Sequence, residues 1–159
     1  MTTSVALALG GGFVLFLAVG WWMAPRIQAA RLRELFDLQR KRLEPQFLGC
    51  ARATGLPRGL IWESCQFHDS WLLARDRRSR QWVAFVEVTV TFSALPESDM
   101  VDLPAVGQPR QGVAVWSFER GHWVTTGRVI FNHSLEDVRQ RYVTQYQFIE
   151  PLPLPSREG

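Results

Sequence analysis

The chain has 159 residues, 47% apolar and 21% charged, with a formal net charge of +3. This composition excludes a disordered chain, and two cysteines are too few for a disulfide-stapled miniprotein. It leaves room for about one domain with a modest core, and so small a charge excess does not by itself imply nucleic acid.

Val5 to Ala24 contains no charged residue. A run of about 20 such residues crosses a hydrocarbon core as a helix. Trp21 and Trp22 sit at one end, where indole rings favour the membrane interface, and Pro25 and Arg26 close the run. A cleaved export signal would need a basic start, a shorter apolar core and a small-x-small cleavage site. Here the start is "MTTS", and "AVG" at 18–20 is a poor cleavage site. The expectation is an uncleaved transmembrane anchor over 1–25. Gly10, Gly11 and Gly12 lack the Gly-Lys-Ser/Thr ending of a phosphate loop and the spaced glycines of a dinucleotide fingerprint. Ser4, Ala8 and Gly12 instead share one helix face, a small-xxx-small pattern for helix packing in a membrane. Basic residues follow the span (Arg26, Arg31, Arg33, Arg40, Lys41, Arg42) and none precedes it. The expected topology is therefore N-terminus out and C-terminal domain in the cytoplasm, at the cell (inner) membrane of a bacterium.

Residues 26–45 read as a basic amphipathic helix. Leu32, Leu35, Phe36 and Leu43 recur at helical spacing, opposite charges pair at i,i+4, and Pro45 is expected to end it. Its main expected role is packing on the sheet, with lipid attraction confined to Arg26–Arg33. Residues 46–150 read as a soluble α+β domain. A short helix ends at Gly55. Strands follow at 60–67 and 71–76, with His68 and Asp69 at the bend between them. "RRSR" makes a basic hairpin tip. In the strand 81–94, Trp82, Ala84, Val86, Val88, Val90 and Phe92 alternate with Val83, Phe85, Glu87, Thr89, Thr91 and Ser93. One face is apolar and the other turns polar along its length. An acidic loop spans 95–111. Strands at 112–118 and 122–132 form a hairpin around "ERGH", where Gly121 suits a positive φ. A C-terminal helix opens at Ser134, with Asp137 three residues on, and carries an apolar stripe of Leu135, Val138, Tyr142 and Tyr146. The tail 151–159 is expected to be flexible and proline-rich, without a true P-x-x-P. The architecture drawn is a helix packed on a curved antiparallel sheet of about five strands, a cystatin-like or nuclear-transport-factor-like roll, a fold analogy that carries no activity.

Pro57-Arg58-Gly59-Leu60, Ala74-Arg75-Asp76, Ala105-Val106-Gly107, Gly127-Arg128 and Phe131-Asn132 together resemble a group of small, single-pass, membrane-anchored bacterial proteins without an assigned function. The resemblance implies an anchored domain and no reaction, ligand or functional residues.

His68–Asp69 reads as an exposed turn pair, and His122 and His133 are too far apart along a strand to share a metal. Two thiols, Cys50 and Cys65, cannot complete a zinc site and read as free; a disulfide between them stays open for a domain outside the cytoplasm. The candidate ligand-binding residues are Arg58, Arg75, Asp76, Arg128 and Asn132. Arg128, expected mid-strand, needs either a carboxylate such as Glu87 or a bound anion. No catalytic constellation, metal site or cofactor motif is present. The expectation is a non-enzymatic, membrane-tethered interaction or assembly domain. Its partners would be the lipid bilayer and a protein or a second copy of the chain, with no nucleic acid. The competing expectation is a roll whose pocket binds a small anion or supports a simple hydrolase or isomerase reaction.

Overall fold

The computed structural model describes residues 2–54, 57–97, 99, 103 and 105–150, with the helical backbone alone for 2–24. Its elements are α1 (Thr2–Ala53), β1 (Leu60–Asp76), β2 (Trp82–Ala94), β3 (Arg110–Glu119), β4 (His122–Val124), β5 (Val129–Phe131), α2 (Leu135–Arg141) and β6 (Tyr146–Ile149). Phe36–Glu150 forms one compact unit, and the residues before Phe36 belong to another. The expected α+β class holds, as one helix packed on an antiparallel sheet of six strands. Among the described residues no helix is long and apolar enough to cross a membrane. The side chains of the expected span Val5–Ala24, and with them the packing face of Ser4, Ala8 and Gly12, lie outside what is described, as do the capping Gly55 and the tail 151–159.

Pro45 does not end the helix; α1 runs through it to Ala53. A mid-helix proline removes one backbone hydrogen bond and crowds the preceding turn. Here Leu43 and Phe47, on either side, are both buried, so tertiary packing holds the helix across the defect. The Pro45 ring itself faces solvent.

The sheet order is β4-β3-β2-β1-β6, with β5 also on β3. β1 is one strand, not two. It pairs with β2 at both ends, through irregularities at Trp62/Ser64 and at Phe67/Trp71. The segment His68–Ser70 is therefore a bulge within β1 rather than a turn between strands. Arginines from α1 cap both irregularities. Arg52 donates to the Trp62 and Glu63 carbonyls at 3.1 Å each. Arg40 donates to the His68 carbonyl and lies 3.5 Å from the Asp69 carboxylate.

One sheet face takes α1. Phe36 sits 4.7, 5.7 and 5.0 Å from the rings of Trp71, Trp116 and Trp123, and Phe47 meets Phe67 edge to face and Trp116 at a tilt. Curvature brings β1 and β5 together although β2 and β3 lie between them. Trp62, Phe92 and Phe131 meet at centroid distances of 5.0 to 6.1 Å. The sheet thus curves around the Phe36–Ala51 stretch of α1, which covers this face.

The opposite face carries a second core of Ala74, Val83, Phe85, Val113 and Val138 under α2 and β6. Beyond that cover, the same face of β2 turns polar at Glu87, Thr89, Thr91 and Ser93, as its alternation predicts. The C-terminal helix is shorter than expected. Ser134 caps α2 through a reciprocal capping box with Asp137, and Tyr142 ends it. Tyr146–Ile149 is a strand antiparallel to β1. Alternation explains the difference: Tyr146 and Phe148 pack on Phe85, while Gln147 between them points to solvent.

Candidate functional site

The strand expected at 122–132 divides into β4 and β5, because Gly127 (φ +75) turns the chain against the backbone of α1. Thr125 Oγ1 stabilises the break, donating to the Val115 carbonyl and accepting from Gly127 N–H, both at 3.0 Å. Arg128 therefore sits between two strands and not in the middle of one. Its carbonyl accepts from Val115 N–H and its side chain is exposed. Among the described residues it makes no ion pair with Glu87.

The five candidate residues do not converge on one place. Arg58 is exposed in the turn before β1. Arg75 and Asp76 end β1 at its hairpin with β2. Asn132 (φ +58) ends β5 beside α2. There it joins His133, Asp137, Gln140 and Arg141 around an open depression. His133 Nδ1 lies 2.8 Å from the Phe131 carbonyl, and Nε2 lies 2.7 Å from an Arg141 guanidinium nitrogen. The Ser134 backbone and hydroxyl hold the Asp137 carboxyl below its ordinary range, with smaller help from His133 and Arg141. His68 is not an isolated turn residue: its Nε2 lies 2.8 Å from Thr89 Oγ1 on the polar sheet face. Among the described residues, no group of three or more His, Cys, Asp or Glu is placed to hold a metal ion.

Arg75 and Asp76 build the β1–β2 hairpin. Asp76 Oδ1 accepts from Arg78 N–H and Ser79 N–H at 2.8 Å each. These bonds, Ser79 foremost, hold its carboxyl below the ordinary carboxylate value. Arg75 donates to the Arg80 carbonyl at 3.0 Å and lies 5.2 Å over the Trp82 ring. Both residues thus serve the turn. The β3–β4 hairpin lies alongside, tied by a 2.9 Å bond from the Gln81 amide to Glu119. Its tip is Arg120-Gly121, with φ of +48 and +87, the two positive values of a type I′ turn. Arg120 is the residue that sequence reasoning passed over. Its signal was Arg before Gly in a tight hairpin, where Asn or Asp is the ordinary choice.

Both cysteines are free. Burial, with a smaller push from Glu44, raises the Cys65 thiol to about 12, so it is inert in the native fold. No protein-family model matches the chain, and neither the curated proteins nor the solved structures offer a match to it.

Proposed function

We propose that this chain is a membrane-anchored interaction or assembly domain, a non-enzymatic accessory subunit of a membrane-associated complex. In this reading the uncharged run Val5–Ala24 is the span, the N-terminus lies outside, and the α+β domain faces the cytoplasm. One observation carries the preference for interaction over catalysis. The concave face that would hold a ligand in an open roll is filled by Phe36, Leu43, Phe47 and Ala51 of α1, all buried. Trp116 and Trp123 are buried beneath the same helix, so a partner would meet other surfaces.

Affinity purification of the full chain in mild detergent, with mass spectrometry and light scattering, tests the reading. A partner or a second copy at fixed stoichiometry is expected, and recovery as a lone monomer overturns it. Impermeant thiol labelling of intact cells tests topology. Cys50 is the reporter, being half-exposed where the Cys65 thiol is inert, and its labelling from outside would reverse the orientation. The second reading, binding of a small anion, rests on Arg141 and Asn132 at the open depression. Asp137 in the same lining opposes it, and phosphate titration followed by NMR separates the two.

A further inference from the structure

We infer that the paired hairpin tips form a docking surface for anionic lipid headgroups, holding the domain against the bilayer beside its own anchor. The inference rests on the anchored reading above. The β1–β2 tip presents Arg75, Arg77, Arg78 and Arg80, and the β3–β4 tip presents Arg120 next to it. The two carboxylates at this end are already engaged: Asp76 by the turn N–H groups and Glu119 by Gln81. Arg75 and Arg77 are also engaged, the latter donating to the Val143 carbonyl at 3.2 Å. The guanidinium groups of Arg78, Arg80 and Arg120 make no hydrogen bond or ion pair among the described residues, and all three residues are exposed. Val143, beside Arg77, leaves 52% of its surface in solvent. An apolar side chain among arginines suits the boundary between headgroups and acyl chains.

Backbone conformation supplies a second, independent observation. Among the described residues three non-glycine residues have positive φ, and two are tip arginines, Arg80 (+63) and Arg120 (+48). Arg is poorly suited to this region, where Gly, Asn and Asp are comfortable. Local structure therefore favours another residue at both positions, and the cationic side chain is kept against that preference.

Chain connectivity selects the lipid source. Within the domain, α1 runs from Phe36, whose ring meets Trp123 next to the β3–β4 tip, to Arg52, which bonds Trp62 and Glu63 at the far end. Phe36, the first residue of the domain, therefore lies at the end that bears the tips. Ten residues lie between Pro25 and Phe36, a tether of at most about 40 Å even when fully extended. A tethered basic surface meets its bilayer at high effective concentration.

The test uses the full chain in phosphatidylcholine vesicles, with and without phosphatidylglycerol. Ser79→Cys carries a fluorophore in a Cys50→Ala background, and the headgroups carry nitroxide quenchers. Quenching is expected in the anionic vesicles only, weakening as salt rises. The triple variant Arg78→Gln, Arg80→Asn, Arg120→Asn should lower the docking equilibrium about a hundredfold, at about fivefold per arginine. Because Asn accepts positive φ, this variant should fold at least as stably as the parent, which separates lost docking from lost structure. Unquenched fluorophore in a chain that resists carbonate extraction overturns the docking surface and leaves the anchor standing. Quenching that persists in the triple variant removes the arginines from the account. A chain extracted by carbonate overturns the anchored reading itself. Tight oligonucleotide binding without lipid quenching would replace the lipid surface with a nucleic acid one.

Discussion

Gly127 lies directly against the backbone of Ala51. A Cβ on Gly127 would stand 2.2 Å from Ala51 N and 2.5 Å from its Cα. This is where the β4–β5 edge of the roll closes on α1. The Gly127 φ of +75 adds a second reason for glycine. Gly127→Ala should therefore destabilise the domain by roughly 2–5 kcal/mol, from left-handed strain plus overpacking. Gly121 also has positive φ, but nothing lies within 4 Å of its Cβ position. Gly121→Ala should cost only about 1–2 kcal/mol. Denaturant titration of both variants checks the difference, and equal costs would show that α1 does not seat on this loop.

Phe36 and Leu38 lie two residues apart on α1 with opposite fates. Phe36 is 1% exposed among three indoles, and Leu38 is 77% exposed. Phe36→Ala should cost about 3–5 kcal/mol. Leu38→Ala should stay within about 0.5 kcal/mol of the parent. Thermal unfolding of the two variants gives the comparison.

The Asp76 carboxyl is held below its ordinary 3.8 by turn N–H groups, Ser79 first. A depressed folded pKa contributes stability that is present above the unfolded value and is lost as pH falls through the folded one. Acid titration should show this loss below about pH 4. Asp76→Asn keeps an acceptor oxygen but not the charge, so it should flatten the acid limb by giving up that same increment already at neutral pH. Asp76→Ala should lower Tm at neutral pH as well, because two turn N–H groups lose their acceptor.

With its thiol pushed up to about 12, Cys65 should resist alkylation at mildly alkaline pH until the fold opens. Cys50, half-exposed on α1, should react first. Mass spectrometry of alkylated peptides with and without denaturant distinguishes the two sites, and early modification of Cys65 would contradict its burial.

Much of the fold was legible in the residues. Alternation along Trp82–Ala94 placed a two-faced central strand, Gly121 marked a tight hairpin, and Ser134 with Asp137 marked a helix start. Each is a local signal read by local physics. The bulged β1 was not legible, because two short strands and one interrupted strand share the same residue pattern. Only pairing with β2 on both sides of His68–Ser70 joins them. Continuation of α1 through Pro45 depends on Leu43 and Phe47 finding the sheet. Four residues of alternation at Tyr146–Ile149 are too few to announce a strand before β1 offers its edge.

The candidate site divides the same way. Sequence identified Arg75, Asp76 and the basic run after them, since charge and turn chemistry are written residue by residue. It could not place Arg120 beside them, because that neighbour comes from the register of β2 with β3. Nor could it show that Arg75 and Asp76 are consumed by the turn while Arg78, Arg80 and Arg120 stay free. By itself the sequence determined the α+β class, the polar reverse of β2 and the caps and turns, which depend on contacts only a few residues long. Tertiary structure alone decided what fills the roll and which arginines remain available, because long-range packing and pairing assign each side chain its partners.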